Sequence, residues 1–261
     1  MYETHEERYS PEELAQRIWA VEEVKKLAAK RFYYQAAERR AEELDTLWVR
    51  EPEHRRTASL GSNWGYYTGM DRIRAYYVEK HDADRRDHLE ALHQADPSVA
   101  LVPENLGLGC MQLEPVSTAL VELAGDGQTA KGLWYSIGQR TTSRPDGTAE
   151  ALWITTKIGI DFVLEGNEFR IWHVIYAVDF SHLAGTPYSD QPVYLAEDQD
   201  PVREEFGTPT VPMLTHNNIF SWADGYPPEP EPYETFSDEI SYGPEGHPNL
   251  GRKEVFPWVK H

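Results

Sequence analysis

Over the first fifty positions apolar residues recur every three or four places. Leu14, Ile18, Val21, Ala28 and Phe32 form one line, and Val24, Leu27 and Tyr34 form a second. Ser10-Pro11-Glu12-Glu13 precedes them as a helix start: Ser10 caps, Pro11 stands where a backbone N–H is not needed, and Glu13 closes the capping box. No Gly or Pro follows before Pro52, so the pattern predicts helix to about Trp48, bent near residues 38–40. A second helix is predicted after Thr68-Gly69-Met70-Asp71, with Ile73, Tyr76 and Tyr77 on one side, and a short one over 84–94 before Pro97. After Pro103 the period changes. Runs rich in β-branched and aromatic residues at 112–124, 129–141, 149–164 and 168–180 are separated by Gly125-Asp126-Gly127, Arg144-Pro145-Asp146-Gly147 and Glu165-Gly166-Asn167. Such short turns predict an antiparallel meander. Helices first and a meander after them is an α+β order.

The last eighty positions differ in kind. Twelve of the 18 prolines lie beyond Phe180, beside aromatics such as Tyr188, Tyr194, Phe206, Phe220, Trp222, Tyr226, Tyr233, Phe236, Tyr242, Phe256 and Trp258. The proline content suits disorder, whereas so many aromatic rings are costly to leave in water. The division expected is therefore a domain over 1–180 and an ordered arm over 181–261, packed on the domain or on a neighbouring subunit.

The net charge of −19 opposes phosphate backbones and acidic membrane surfaces, so neither nucleic acid nor membrane is an expected partner. No apolar run approaches the roughly 20 residues that span a bilayer, and the charged first dozen residues do not suit a signal peptide, which makes the expected location cytoplasmic. The single cysteine, Cys110, allows neither an internal disulfide nor a cysteine-based zinc site. His81, His88 and His93, seven and five residues apart, do not place two ligands on one helical face in the H-x-x-x-H manner, and no glycine-rich phosphate loop follows a strand. No metal and no cofactor are expected.

The element order, together with Glu42-Glu43-Leu44-Asp45-Thr46-Leu47, Trp64-Gly65-Tyr66-Tyr67-Thr68-Gly69, Asp126-Gly127-Gln128-Thr129-Ala130-Lys131-Gly132-Leu133-Trp134 and Gly166-Asn167-Glu168-Phe169-Arg170-Ile171, resembles the SnoaL-like branch of the NTF2-like superfamily. The resemblance covers about residues 15–180. It implies an α+β barrel or cone, with helices and a bent sheet enclosing one pocket, often in a dimer or trimer. It also implies proton-transfer chemistry without metal or organic cofactor, as in ketosteroid isomerases, dehydratases, polyketide cyclases and lyases that release formaldehyde from lignin-derived diaryl compounds. Other members only bind ligands. The Tyr, Asp and His of the related dehydratases fall near Arg31 or Phe32, Ala36 or Ala37, and Leu113, and none is kept.

The acid and base must then come from elsewhere. His173 shares strand parity with Phe169 and Ile171, which directs it into the pocket as a general base. Tyr33 and Tyr34 stand about 100° apart on the helix, so one of them at most faces the pocket, as a hydroxyl donor. Asp161 is a mid-strand carboxylate and an alternative base, although the parity that buries Ile158, Ile160 and Phe162 turns it outward. Arg140 shares the face of Ala130, Gly132 and Trp134 and suits a phenolate or carboxylate. Trp64, Tyr66, Tyr67 and Trp134 suit a flat aromatic ligand, and Tyr176 joins the expected substrate contacts. Together these residues predict a cofactor-independent lyase or isomerase acting on an aromatic small molecule in an apolar pocket. The alternative is a carrier using the same pocket without catalysis.

Overall fold

The computed structural model describes residues 9–63, 65–187, 203–212 and 227–246. Helix α1, Pro11–Ala36, begins where the sequence places it: the Ser10 hydroxyl accepts from the Glu13 backbone, and the Glu13 carboxylate accepts from the Ser10 backbone. It stops at Ala37 because Glu38 adopts φ 56°, a left-handed conformation that costs a non-glycine residue strain. Helix α2, Arg40–Leu47, follows, so the expected bend at 38–40 is a full break. The buried line of α1 is Val24, Ala28 and Arg31, while Ile18 is exposed.

A short helix α3, Pro52–Thr57, leads into a hairpin of β1, Ser59–Ser62, and β2, Gly65–Thr68, neither of which the hydrophobic pattern foretells. Helix α4, Met70–Arg74, runs through a π-helical stretch, Ala75–Lys80, into α5, His81–Ala95. The two helices expected here are thus one continuous helical segment.

The meander contains β4 (Val116–Leu123), β5 (Thr129–Ser143), β6 (Ala149–Glu165) and β7 (Glu168–Leu183), all antiparallel in chain order. Pro115 breaks the first predicted strand. Its leading part becomes β3, Met111–Leu113, which pairs with the far end of β5. Strand β1 joins β7 in parallel, and β8, Val211–Pro212, adds to β2. The sheet is therefore mixed and, among the described residues, is not closed into a barrel. Helices first and a meander packed on them make an α+β fold, the order that the sequence resemblance implies.

Two features decide what lies on each face. The helices cover the inner face, where Val24, Ala28, Leu44, Leu47, Trp48 and Ile73 pack against Trp134, Ile158, Ile160, Phe162, Ile171 and Val174. The outer face is covered in part by residues 227–246. There Tyr242 is buried on Tyr66 and Ile175, and its ring lies where any Cβ on Gly159 would press on it at 3.1 Å. Tyr233 and Glu234 accept backbone hydrogen bonds from Gly125 and Asp126, at 2.8 and 3.0 Å, pinning the same segment to the β4–β5 turn. Of the aromatics singled out in the arm, Tyr188, Tyr194, Phe220, Trp222, Tyr226, Phe256 and Trp258 lie outside the described residues.

Candidate functional site

One cavity of about 330 Å³ lies between the helices and the inner face of the sheet. Its lining includes Gln35 from α1, Arg40 from α2, Tyr76, Lys80, His81 and Asp84 from the π-helical stretch and α5, and Arg140, Thr156, Tyr176 and Val178 from the sheet. The expected apolar pocket is thus of mixed character, with charged groups beside aromatic walls.

One lining residue, His81, belongs to a pair the sequence did not single out. His81 Nε2 and Glu38 Oε2 are 2.6 Å apart, joining the first turn of α5 to the break after α1. The carboxylate can only accept, so Nε2 carries the hydrogen and Nδ1 is left as the basic nitrogen. Burial, aided by the charges of Arg40 and Arg85, lowers the His81 pKa below its ordinary value despite the opposing pull of Glu38. At neutral pH the imidazole is therefore neutral and able to take a proton. Burial pushes the Glu38 carboxyl upward, but the hydrogen bond to His81 and the charges of Arg40, His81 and Arg85 outweigh it and hold it ionised.

A second network underlies the far wall. The Arg31–Glu43 ion pair, 2.9 Å long, is buried, and Glu43 also accepts from Trp48 Nε1 at 3.1 Å and from the Tyr77 hydroxyl at 2.6 Å. Arg31 donates to the Tyr176 hydroxyl and lies 4.8 Å over its ring. The Gln35 amide sits between the Tyr77 and Tyr176 hydroxyls, at 2.7 and 2.6 Å. A phenol accepting from a guanidinium is polarised as a donor, so Tyr176 is suited to stabilise negative charge in the cavity. Burial and Glu43 together raise the Tyr77 pKa and keep that hydroxyl protonated.

The structure separates the residues that the sequence grouped. Arg140 and Tyr176 line the cavity. Tyr67 and Trp134 are buried in the core instead, the first stacked on Tyr76 at 3.9 Å and the second edge-on to Phe162. Tyr33 is exposed and lines, with Tyr34, a different groove near Arg39 and Arg50. Helix geometry explains this: the face of α1 turned to the sheet carries Val24, Ala28, Arg31 and Gln35, which leaves residues 33 and 34 to the side. Trp64 lies outside the described residues.

The expected orientation of His173 is corrected by a β-bulge. Phe162 pairs with Ile171 but Asp161 pairs with His173, so Trp172 is an extra residue that reverses the parity of the strand as far as a second bulge at Asp179. Ile171, Val174 and Tyr176 consequently face the helices, and His173 faces outward with Ile175. His173 is buried there, with Nδ1 2.9 Å from Ser59 Oγ. Burial, opposed only in part by Asp161, lowers its pKa to about 4. Asp161 is on the same outer face, paired with Lys131 at 2.6 Å and accepting from the Tyr242 backbone at 2.7 Å and Ser241 Oγ at 3.1 Å. Neither residue lines the cavity.

Among the described residues no three His, Cys, Asp or Glu side chains converge as a metal-holding group, and no helix is long and apolar enough to cross a membrane. No family model and no curated protein matches the chain. Solved structures do. An NTF2-like protein with a cystatin-like fold from Novosphingobium aromaticivorans is 18% identical, with 68% of this chain and 92% of that one covered and a TM-score of 0.41. Aln2 from a Streptomyces species is 17% identical, covering 64% and 91%, with a TM-score of 0.38. A hexachlorocyclohexane dehydrochlorinase, LinA type 2, is 10% identical, covering 65% and 93%, with a TM-score of 0.42. The fold assignment itself rests on the element order and sheet register described above.

Proposed function

We propose that this chain is a cofactor-independent lyase or isomerase acting on an aromatic small molecule, with His81 as general base. The observation that carries the reading is the Glu38–His81 pair at the cavity wall, 2.6 Å apart, with the imidazole held neutral by burial. Glu38 fixes the tautomer and stabilises the imidazolium that forms when Nδ1 takes a proton from the substrate. Tyr176, backed by Arg31, donates to the charge that develops at the other end of the reacting system. Tyr76, stacked on Tyr67, and Tyr176 offer flat walls that suit an aromatic ring. An elimination or a retro-aldol cleavage, such as deformylation of a lignin-derived diaryl compound, needs no more than this set. A pure carrier has no use for a neutral histidine oriented by a carboxylate, and a cavity lined only by apolar groups would suit it better.

The pH dependence of turnover tests the reading. A base with a lowered pKa is already deprotonated at neutral pH, so the rate should rise with pH along a limb below about 6.5 and then level off. Glu38→Gln removes the partner that raises the His81 pKa, so the limb should move to lower pH while the plateau falls. A limb that stays in place in Glu38→Gln would contradict the assignment.

A further inference from the structure

Three buried side-chain atoms on and beside strands β5 and β6 have no hydrogen-bond partner among the described residues: Ser136 Oγ, Thr156 Oγ1 and Glu114 Oε2. Ser136 and Thr156 are register partners across β5 and β6, both fully buried, and Thr156 lines the cavity. Glu114 lies over the next inward position of β5, since a Cβ on Gly138 would come within 2.6 Å of its Cγ. Its other oxygen, Oε1, accepts from Arg140 Nε at 2.6 Å and Gln112 Nε2 at 2.8 Å. Polar atoms buried without partners are uncommon in folded proteins, and each calls for a reason. Here one of them lines a cavity, a second is its register partner, and the third lies over the next inward position of β5.

Their chemistry selects a ligand group. Arg140 already neutralises Glu114, so an incoming carboxylate or phosphate would meet an acceptor whose cation is already engaged. An ammonium could donate to Glu114 and to the hydroxyl oxygens, but it would leave the hydroxyl hydrogens unused and would stand beside the cations of Arg40 and Arg140. An alcohol or phenol hydroxyl matches the whole set, because it accepts from Thr156 and donates toward Ser136 or Glu114. We propose that Thr156, supported by Ser136 and Glu114, forms a subsite that recognises a neutral hydroxyl group on the substrate. The proposal rests on the reading of this cavity as the substrate site, but not on the Glu38–His81 chemistry.

The test is a binding titration by NMR with p-cresol and toluene, which differ by one hydroxyl, on the full chain and its variants. The wild type should prefer p-cresol by about tenfold, the worth of a well-made buried hydrogen bond. Thr156→Val, which keeps the shape and removes the hydroxyl, should cut the preference to about threefold or less without lowering Tm. Thr156→Ser should restore it, which guards against a packing effect of the valine. The chemistry is read from turnover and its pH limb and the subsite from the p-cresol preference, so a failure of the proposed chemistry and a failure of the subsite give different results. Equal binding of the two probes by the wild type, no binding of either, or an unchanged preference in Thr156→Val would overturn the proposal and leave internal water as the partner of these hydroxyls.

Discussion

Glu38 shows how a single residue joins strain to chemistry. Its φ of 56° belongs to glycine, yet a carboxylate is held there, 2.6 Å from His81. Replacing it with glycine removes a conformational penalty of about 1–2 kcal/mol together with the acid partner. The expected outcome is a Tm unchanged or raised by a few degrees and a large loss of turnover, measured on the same preparation. A clear fall in Tm would show that the residue serves stability instead. Nothing in the hydrophobic pattern marks Glu38 or His81. The sequence does show Glu38 at the bend that ends α1, and an unbroken helical run from Met70 to Ala95 would have set Tyr77, His81 and Asp84 on one side. Only the tertiary packing brings the two together.

At the scale of elements, the meander was legible and its fine register was not. The turns at Gly125-Asp126-Gly127, Arg144-Pro145-Asp146-Gly147 and Glu165-Gly166-Asn167 fix hairpins that all appear where the turn chemistry requires them. Strands β1 and β2, four residues each and partly glycine and serine, carry too little alternation to be read. Trp172 is the sharper lesson, because a bulge adds one residue without changing composition and turns His173 away from the cavity. Its indole also donates to Thr57 at 3.0 Å and packs on Phe236 at 4.8 Å, which fixes it outside the ladder. Deleting Trp172 would make Ile171 and His173 consecutive opposite Phe162 and Asp161, an unbroken ladder with His173 still outward and Val174 and Tyr176 still among the helices. Chemical denaturation should then show only the loss of the indole's contacts with Thr57 and Phe236, about 1–3 kcal/mol. Complete loss of the folded state would contradict the bulge.

Across the whole molecule, two buried polar groupings lie back to back on the sheet. The inner one meets a cavity. The outer one, Lys131, Asp161, His173 and Ser59, is sealed by residues 227–246 and has the features of a structural latch. The residue types on the two faces are alike, so sequence alone had no means of assigning chemistry to one rather than the other. The outer grouping sets a stability dependence on pH. His173 has a folded pKa of about 4 against about 6.5 unfolded, so the unfolded chain binds the extra proton. Stability should be unaffected above pH 6.5 and fall as pH drops toward 4, by up to about 3 kcal/mol from this group. Comparing urea unfolding of the wild type with His173→Gln across that interval isolates the share, which should vanish in the variant. An identical pH slope in the two would mean that the outer histidine is not held neutral.

The account turns on which histidine is the base, and one comparison decides it. Release of formaldehyde, or deuterium exchange in heavy water, would be followed for a panel of hydroxylated diaryl compounds with wild type, His81→Ala and His173→Ala, each shown to be folded. The account predicts a loss of about 10²–10⁴-fold for His81→Ala and a rate near wild type for His173→Ala. A His81→Ala variant that keeps its rate, or a folded His173→Ala variant that loses it, would contradict His81 as the base.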